Sequence, residues 1–259
     1  SVVETSDGGY IAGGYFRSSS IDLGNGVALN NSTYATYYDG MMIKYDSEGV
    51  VEWAKVIGGS DTEYIYSVIE TRDGEILVGG YFWSSSIDLG NGVLLNNNGN
   101  VEGMIIKYDS EGNAEWAKGI GGSDSDYISS VASTSDGGYI AGGYFESSSI
   151  DLGNGITLSN NGGYDGMIIK YDSEGNAKWA KGIGGSDSDY IRSVASTSDG
   201  GYIAGGHFSS SIDLGNGVVL NNNGNTDGMI IKYDENGEAK WAKGIGGSNS
   251  DYIYSVAET

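Results

Sequence analysis

The phrase GGSDSDYI, at residues 121–128 and again at 184–191, sets two acids two positions apart on a glycine turn. Closely spaced carboxylates on a turn offer the hard oxygens that calcium takes at roughly 2.3–2.6 Å. Asp124 with Asp126 and Asp187 with Asp189 form two such pairs, and the related copies carry Asp61 with Glu63, and Asp251 behind Asn249. These seven acids are the candidate metal ligands. Calcium is the only cofactor that the sequence raises. The competing reading is a turn whose side-chain oxygens cap nearby backbone donors.

The phrase partly resembles the glycine-aspartate turn of calcium-binding nonapeptide repeats, G-G-x-G-x-D-x-U, with Asp124 standing where that motif has glycine. It returns after about 63 residues, whereas those motifs stack every nine. DLGNG, at 22–26, 88–92, 151–155 and 213–217, has neither the distal glutamate of an EF-hand nor the Lys-Ser/Thr of a phosphate loop, and reads as a turn. The lone histidine, His207, stands where other copies have Tyr15, Tyr81 and Tyr144. No serine is singled out as its nucleophile, so a triad is not indicated. Trp53, Trp116, Trp179 and Trp241 hold one repeat position, which suits packing between blades better than sugar stacking.

Two of the positions at which the copies disagree are the most informative. One reads Arg17, Trp83, Glu146 and Ser209; the other reads Tyr66, Ser129, Arg192 and Tyr254. Such positions are either drift on a solvated surface or the place where like blades recognise different things. Arg17, Trp83, Glu146, Arg192 and His207 are the candidate binding residues, with Trp83 the best pointer because an exposed tryptophan is costly unless used.

Composition limits what these residues can serve. With 35 acidic and 13 basic residues the net charge is −22, a field that repels nucleic acid and anionic membranes. The chain has no stretch near the ~18 apolar residues of a spanning helix, so membrane insertion is not expected. Cysteine is absent, which excludes disulfides, thiolate nucleophiles and cysteine-type zinc sites. The absence of an initiator methionine and signal peptide leads us to expect a mature or excised segment.

The elements that must position these residues come from a repeat. Copies start at Ser1, Ser67, Ser130, Ser193 and Ser255, giving blades over 1–66, 67–129, 130–192 and 193–254 of one repeat domain, with 255–259 opening a fifth. In the third copy, strand-like runs cover 127–134, 138–145, 166–172 and 177–183, separated by Asp-Gly and Gly-Asn turn signals. Residues 147–163 are an insertion on one rim, and their Ile150, Leu152, Ile156 and Leu158 predict a small hairpin folded back on the blade. Without that insertion the repeat approaches the ~40–50 residues of a four-stranded propeller blade. The expected fold is an all-β β-propeller of four blades or a segment of a larger array. A β-solenoid is the alternative, disfavoured by unequal strand spacing. Pairing Tyr108 with Ala114 puts Lys107 opposite Glu115, as Lys44 faces Glu52; because Lys170 and Lys232 face Lys178 and Lys240, we expect a solvated edge there.

TSDGGYIAGGYF followed by DGMIIKYDSEGNAKWAKGIGGSDSDY resembles the repeat of bacterial and archaeal secreted β-propeller proteins, with their DGGYIVAGYT strand pair and KYDSNGNxxWSKxxGG hairpin. The resemblance covers essentially the whole chain and implies a propeller in an extracellular or cell-envelope setting, without implying an activity. Near-identical repetition favours a scaffold over the asymmetric constellation of an enzyme. The expected function is a non-catalytic cell-surface structural or adhesion scaffold, partnered by a protein, a glycan or other copies of itself. A multivalent glycan-binding module with one weak site per blade is the alternative. A third reading is a hydrolase-associated propeller with its catalytic residues elsewhere in a longer chain. SVVET at 1–5 and SVAET at 255–259 claim the same strand position. The second either completes the first blade of its own ring or is donated to a neighbouring chain, building a filament.

Overall fold

The computed structural model describes residues 1–259, which divide into two compact units, Ser1–Ile120 and Gly121–Thr259. Each unit holds two repeats, and every repeat folds as a four-stranded antiparallel sheet with a two-stranded hairpin inserted after its second strand.

In the first unit the first repeat runs β1 (Val2–Glu4), β2 (Tyr10–Phe16), β3 (Ser20–Gly24), β4 (Val27–Asn30), β5 (Asp39–Tyr45) and β6 (Val51–Ile57). The second runs β7 (Glu63–Glu70), β8 (Ile76–Phe82), β9 (Ser86–Asp88), β10 (Leu94–Asn96), β11 (Glu102–Tyr108) and β12 (Ala114–Ile120). In the second unit the third repeat runs β13 (Asp126–Ser133), β14 (Tyr139–Phe145), β15 (Ser149–Asp151), β16 (Thr157–Ser159), β17 (Asp165–Tyr171) and β18 (Ala177–Ile183). The fourth runs β19 (Tyr190–Ser196), β20 (Tyr202–Phe208), β21 (Ile212–Asp213), β22 (Val219–Leu220), β23 (Asp227–Tyr233) and β24 (Ala239–Ile245). The strand order β13-β14-β17-β18 recurs in all four sheets. This meander is the propeller blade, and the chain is an all-β repeat of four of them. The four runs expected in the third copy coincide with its strands to within one or two residues.

Local chemistry explains the hairpins. In TSDGG the first glycine takes positive φ (Gly137, 81°), while a side chain on Gly138 would collide with the Tyr171 carbonyl and the Lys170 ammonium. In YDSEGNA, Asp109 Oδ1 accepts the amides of Glu111 and Asn113 at 2.9 and 2.8 Å, and Gly112 closes the loop at φ 74°. The rim insertions are the expected hairpins: Ile87 and Leu95 are buried beside Phe82, and Ile212 and Leu220 beside Phe208.

Within each unit the core lies between consecutive sheets. Ile65 and Val68 of β7 rest on Gly13 and Gly40 of the first sheet; Ile191 and Val194 of β19 rest on Gly142 and Gly166 of the third. Alternation along each strand sends Ile11, Met42, Met104 and Ile106 into one cluster and Ile140, Ile168, Met229 and Ile231 into the other. The tryptophans close this packing from the outer strand. Trp53 lies against Gly112, and Trp179 covers Gly237 while its Nε1 donates to the Glu235 carbonyl at 3.2 Å. Trp241, with no sheet over it, is 41% exposed.

The lysine prediction needs correction. A bulge sets Trp53 and Trp116, not Glu52 and Glu115, opposite Lys44 and Lys107; the Lys44–Glu52 and Lys107–Glu115 ion pairs still form, at 3.3 and 3.1 Å, but these lysines are buried rather than solvated. Each reaches the turn between its own first two strands: Lys44 to Asp7 at 2.8 Å, Lys107 to Glu75 at 2.7 Å, Lys170 to Asp136 at 2.9 Å and Lys232 to Asp199 at 2.8 Å. Glu52 and Glu115 are therefore secondary partners of an ammonium already paired in every copy. Lys178 and Lys240 turn instead to Asp172 and Asp234.

Candidate functional site

Every sheet has two ends. One carries the two tight hairpin turns; the other carries the inserted hairpin and the loop into the next repeat. All five candidate binding residues lie at the second end, on a surface made chiefly of tyrosine.

The surface follows from strand register. The first residues of each leading strand pair across to the penultimate residue of the second strand: Tyr64 with Tyr81, Tyr127 with Tyr144, and Tyr190 with His207. Cross-strand neighbours on one face touch, and their rings lie 5.2, 4.7 and 4.7 Å apart. Between consecutive sheets of a unit the same rings meet edge-on, Tyr15 with Tyr64 at 4.4 Å and Tyr144 with Tyr190 at 4.7 Å. Tyr38 and Tyr164, just ahead of the third strands, join at 5.6 Å. Each unit thus has a continuous aromatic ladder.

Tyr66 and Arg192 enter it through a bulge. The register of each leading strand slips by one residue at Tyr66, Ser129 and Arg192, which is the second variable position of the sequence. Bulges re-aim side chains. The opposing Gly80, Gly143 and Gly206 admit the kink, since a side chain there would collide with the carbonyls of Tyr64, Tyr127 and Tyr190. Tyr66 stacks on Tyr64 and shares a 3.0 Å hydroxyl contact with Tyr81. Arg192 lies over Tyr144 and Tyr190, 4.9 and 4.8 Å from their centres.

The first variable position adds a different side chain to each ladder. Arg17 is 5.7 Å from the centre of Tyr38, and Trp83 packs edge-on against Tyr81 at 5.2 Å and Tyr64 at 6.1 Å. Glu146 hydrogen-bonds Tyr164. His207 is buried, stacked on Tyr190 and edge-on to Tyr252; burial, with the Arg192 charge second, lowers its pKa to about 4, so it is neutral near pH 7. Burial first and neighbouring tyrosines second push the Tyr64 hydroxyl upward, so it stays un-ionised. The result is a neutral aromatic surface studded with Arg17, Arg192 and Glu146. Flat rings with polar edges suit side chains or sugar faces.

Of the candidate metal ligands, Glu63, Asp126 and Asp189 are buried beneath this surface, Asp61 is half-buried, and Asp124, Asp187 and Asp251 are exposed; each is engaged by its own turn. Asp126 accepts from Gly122 N at 2.8 Å and Ser147 Oγ at 2.6 Å; Asp189 accepts from Gly185 N and Ser209 N at 2.8 and 2.9 Å. Glu63 accepts from Gly59 N at 3.1 Å, and Asp251 from Gly247 N at 3.1 Å. Asp124 and Asp187 take bonds from the adjacent Ser123 and Ser186, and Asp61 takes one from the Thr62 amide. No three of the chain's acids or its histidine gather into a group able to hold a metal ion. Burial, opposed by hydrogen bonds from Ser84 and Gly59 and aided by the Asp39 charge, raises Glu63 to about 7; burial likewise raises Asp189 to about 6.

The ladder itself is what sequence reading missed. Its signal was present: tyrosines locked to the period at the starts of first strands and the ends of second strands, with the residues that vary between copies set beside them.

The sheets define the class as a repeat β-propeller protein. No family model matches the chain. It is 28% identical over 171 residues to an uncharacterised WD repeat-containing protein of Acanthamoeba polyphaga mimivirus, covering 55% of this chain and 12% of that protein. It is 25% identical over 162 residues to the regulatory protein FlaEY of Caulobacter vibrioides, covering 60% and 17%. The aligned part is thus a small fraction of either relative. Among solved structures, the Pan2 WD40 domain of Neurospora crassa aligns at TM-score 0.35 and 11% identity over 97% of this chain and 79% of that one. A protein of unknown function from Bacteroides caccae aligns at 0.31 and 11% over 83% and 80%. Structural likeness at that level carries no argument, and the class rests on the sheets.

Proposed function

We propose that this chain is a non-catalytic extracellular or cell-surface scaffold, and that the aromatic ladders are its contact surface for a protein or glycan partner. The observation that carries the reading is the convergence of both variable positions, with chemically unlike residues from copy to copy, on one aromatic surface at one end of the sheets. The extracellular setting draws support from the likeness of the repeat to secreted propeller proteins.

Glycan binding is the narrower version, favoured by Trp83: a large ring, half-buried on a platform of Tyr64 and Tyr81, presents the flat face on which sugars stack. The fourth copy supplies a natural reference, since it carries Ser209 where others carry Arg17, Trp83 and Glu146. A variant with R17S, W83S, E146S and R192S should lose binding to a glycan array, or to the partner surface, while melting within a few degrees of the parent. Retained binding would place the contact surface elsewhere.

A further inference from the structure

We infer that the first unit holds a binding pocket for a small hydroxy acid of the sugar-acid class, its carboxylate held between Lys55 and Asn91. The pocket shares no residue with the aromatic ladders, so the inference stands apart from what they bind.

The pocket lies where the outer strand of the first sheet meets the second repeat. Lys55 and Val56 of β6 form one wall, and Asp88–Asn91, from the tip of the β9–β10 hairpin, form another. Tyr108, Gly112 and Asn113 complete it around a volume of about 230 Å³. Gly112 makes room for the lysine, since a side chain there would come within 2.8 Å of Lys55 Cε. Sites for drug-sized ligands run to about 300–1,000 Å³, so this space suits one small molecule rather than a length of peptide.

The fourth repeat, in the other unit, shows what such a set of residues takes. Its Lys181, Asn216 and Glu238 hold the repeat positions of Lys55, Asn91 and Asn113. Asn91 and Asn216 share one left-handed turn conformation, with φ of 54° and 53°. The Glu238 carboxylate bridges the other two, accepting from Lys181 Nζ at 3.0 Å and from Asn216 Nδ2 at 2.8 Å. The bond from Lys181, then that from Asn216, hold its carboxyl below the usual range. In the second repeat the residue at that position is neutral, and Asn113 Nδ2 donates back to Asp109 Oδ2 at 3.0 Å. Lys55 and Asn91 therefore repeat a pair that binds a carboxylate elsewhere in the same chain, through charge-assisted hydrogen bonds.

The rest of the lining favours hydroxyls beside that carboxylate. Asp88 Oδ1 accepts from the Gly90 amide at 2.9 Å, which leaves Oδ2 to accept from a ligand. Asn113, with its amide nitrogen engaged, offers Oδ1 as a second acceptor. Val56, Leu89 and Tyr108 supply the apolar part of the wall. A carboxylate, two or more hydroxyls and an apolar ring face are the features of a uronic acid.

Titration calorimetry of the whole chain with glucuronate, in low-salt buffer free of other carboxylates, tests the inference. We expect one saturable site, with glucose, which lacks the carboxylate, bound at least about tenfold more weakly. Lys55→Met should bring the same loss. Asn113→Glu supplies the fourth repeat's carboxylate in place, and should abolish glucuronate binding while the chain melts within a few degrees of the parent. Methyl glucuronide bound as well as the free acid would support the site and make the end of an acidic glycan its source; the free acid bound alone would support it and restrict it to small molecules. The variant with four ladder substitutions should keep this site, so either reading can fail without the other. No saturable binding of glucuronate, glucose bound as tightly, or binding unchanged in Lys55→Met or in Asn113→Glu would overturn the inference.

Discussion

The turn end and the ladder end of the blades are made from the same sheets, yet the chain treats them oppositely. At the turn end, TSDGG and YDSEG recur with changes at a few positions, and one lysine per repeat, buried in the first three and half-buried in the fourth, ties the first hairpin to the third strand. At the ladder end the backbone is equally regular, but Arg17, Trp83, Glu146 and Ser209 succeed one another at one position. The difference shows how a repeat protein separates folding from recognition. Register is fixed where the connections are shortest; variation is admitted where a bulge and a long insertion aim side chains outward.

Cutting the turn end should give the largest effect. Lys170→Met removes the ammonium that donates to Thr134 Oγ1, Asp136 Oδ1 and the Tyr171 carbonyl at 3.1, 2.9 and 2.9 Å. Asp136 can rehydrate, but the carbonyl loses its donor. We expect a loss of about 2–3 kcal/mol, read from denaturant unfolding. The ion pair also sets acid behaviour: burial raises Asp136, but the Thr134 hydroxyl and Lys170 outweigh it and hold the carboxyl near 2. That contribution is present above about pH 4 and lost on acidification. A Lys170→Met chain as stable as the parent would make the turn end no firmer than the ladder.

The acids under the ladder have the opposite sign. Glu63 and Asp189 are raised to about 7 and about 6, so the folded chain keeps protons that the unfolded chain releases near 4.5 and 3.8. Stability from these groups is full below those unfolded values and is lost as pH rises through 6 to 7. The slope should amount to roughly 2 kcal/mol across that window. Melting temperature measured from pH 4.5 to 8 should fall, and Glu63→Gln should flatten the part due to the first unit. A rising curve would show these carboxyls ionised beneath the ladder.

Much of this was legible in the sequence, and what was not has a physical cause. The strands, both turns and the rim hairpin follow from local rules: Asp-Gly signals, positive-φ glycines and alternating apolar residues. The bulge is not local. Nothing in YIRSVAS marks Arg192 as the unpaired residue until Gly205 and Gly206 are set opposite, so the sequence put both variable positions at strand edges without showing that they meet on one surface. The lysine pairing was hidden for another reason. Setting Lys170 only against Lys178, which a bulge leaves unpaired while Trp179 stands opposite, overlooked Asp136, over thirty residues away in sequence; the change of Gly138 to Glu75 in the second copy, beside Lys107, was the available clue. The tryptophans were read as packing anchors, and their burial proves to depend on whether another sheet follows.

That dependence makes a test within one chain. Trp179 and Trp241 occupy the same hairpin position, one over Gly237 and one 41% exposed. Trp179→Ala should cost about 2 kcal/mol, less than the ~3–5 of a fully enclosed ring, and Trp241→Ala no more than about 0.5. Equal costs would mean that the ring acts within its own sheet.

The smallest effect on stability is expected at the ladder, and it sharpens the contrast most. Trp83→Ser removes an edge-on contact with Tyr64 and Tyr81 but leaves the cross-strand Tyr64–Tyr81 pair, the bulge and the buried Phe82 in place. Arg192→Ser converts the bulge of the fourth repeat to the serine that the third already carries, Ser129, on the same glycine pair. Each should change unfolding free energy by about 0.5 kcal/mol or less, the range of surface substitutions that break no packing or buried hydrogen bond. Binding, in contrast, should fall for the ladder that lost the side chain and persist on the other. A stability loss as large as that of Lys170→Met would mean that these residues brace the sheets, and the ladder would then be a second structural end rather than a recognition surface.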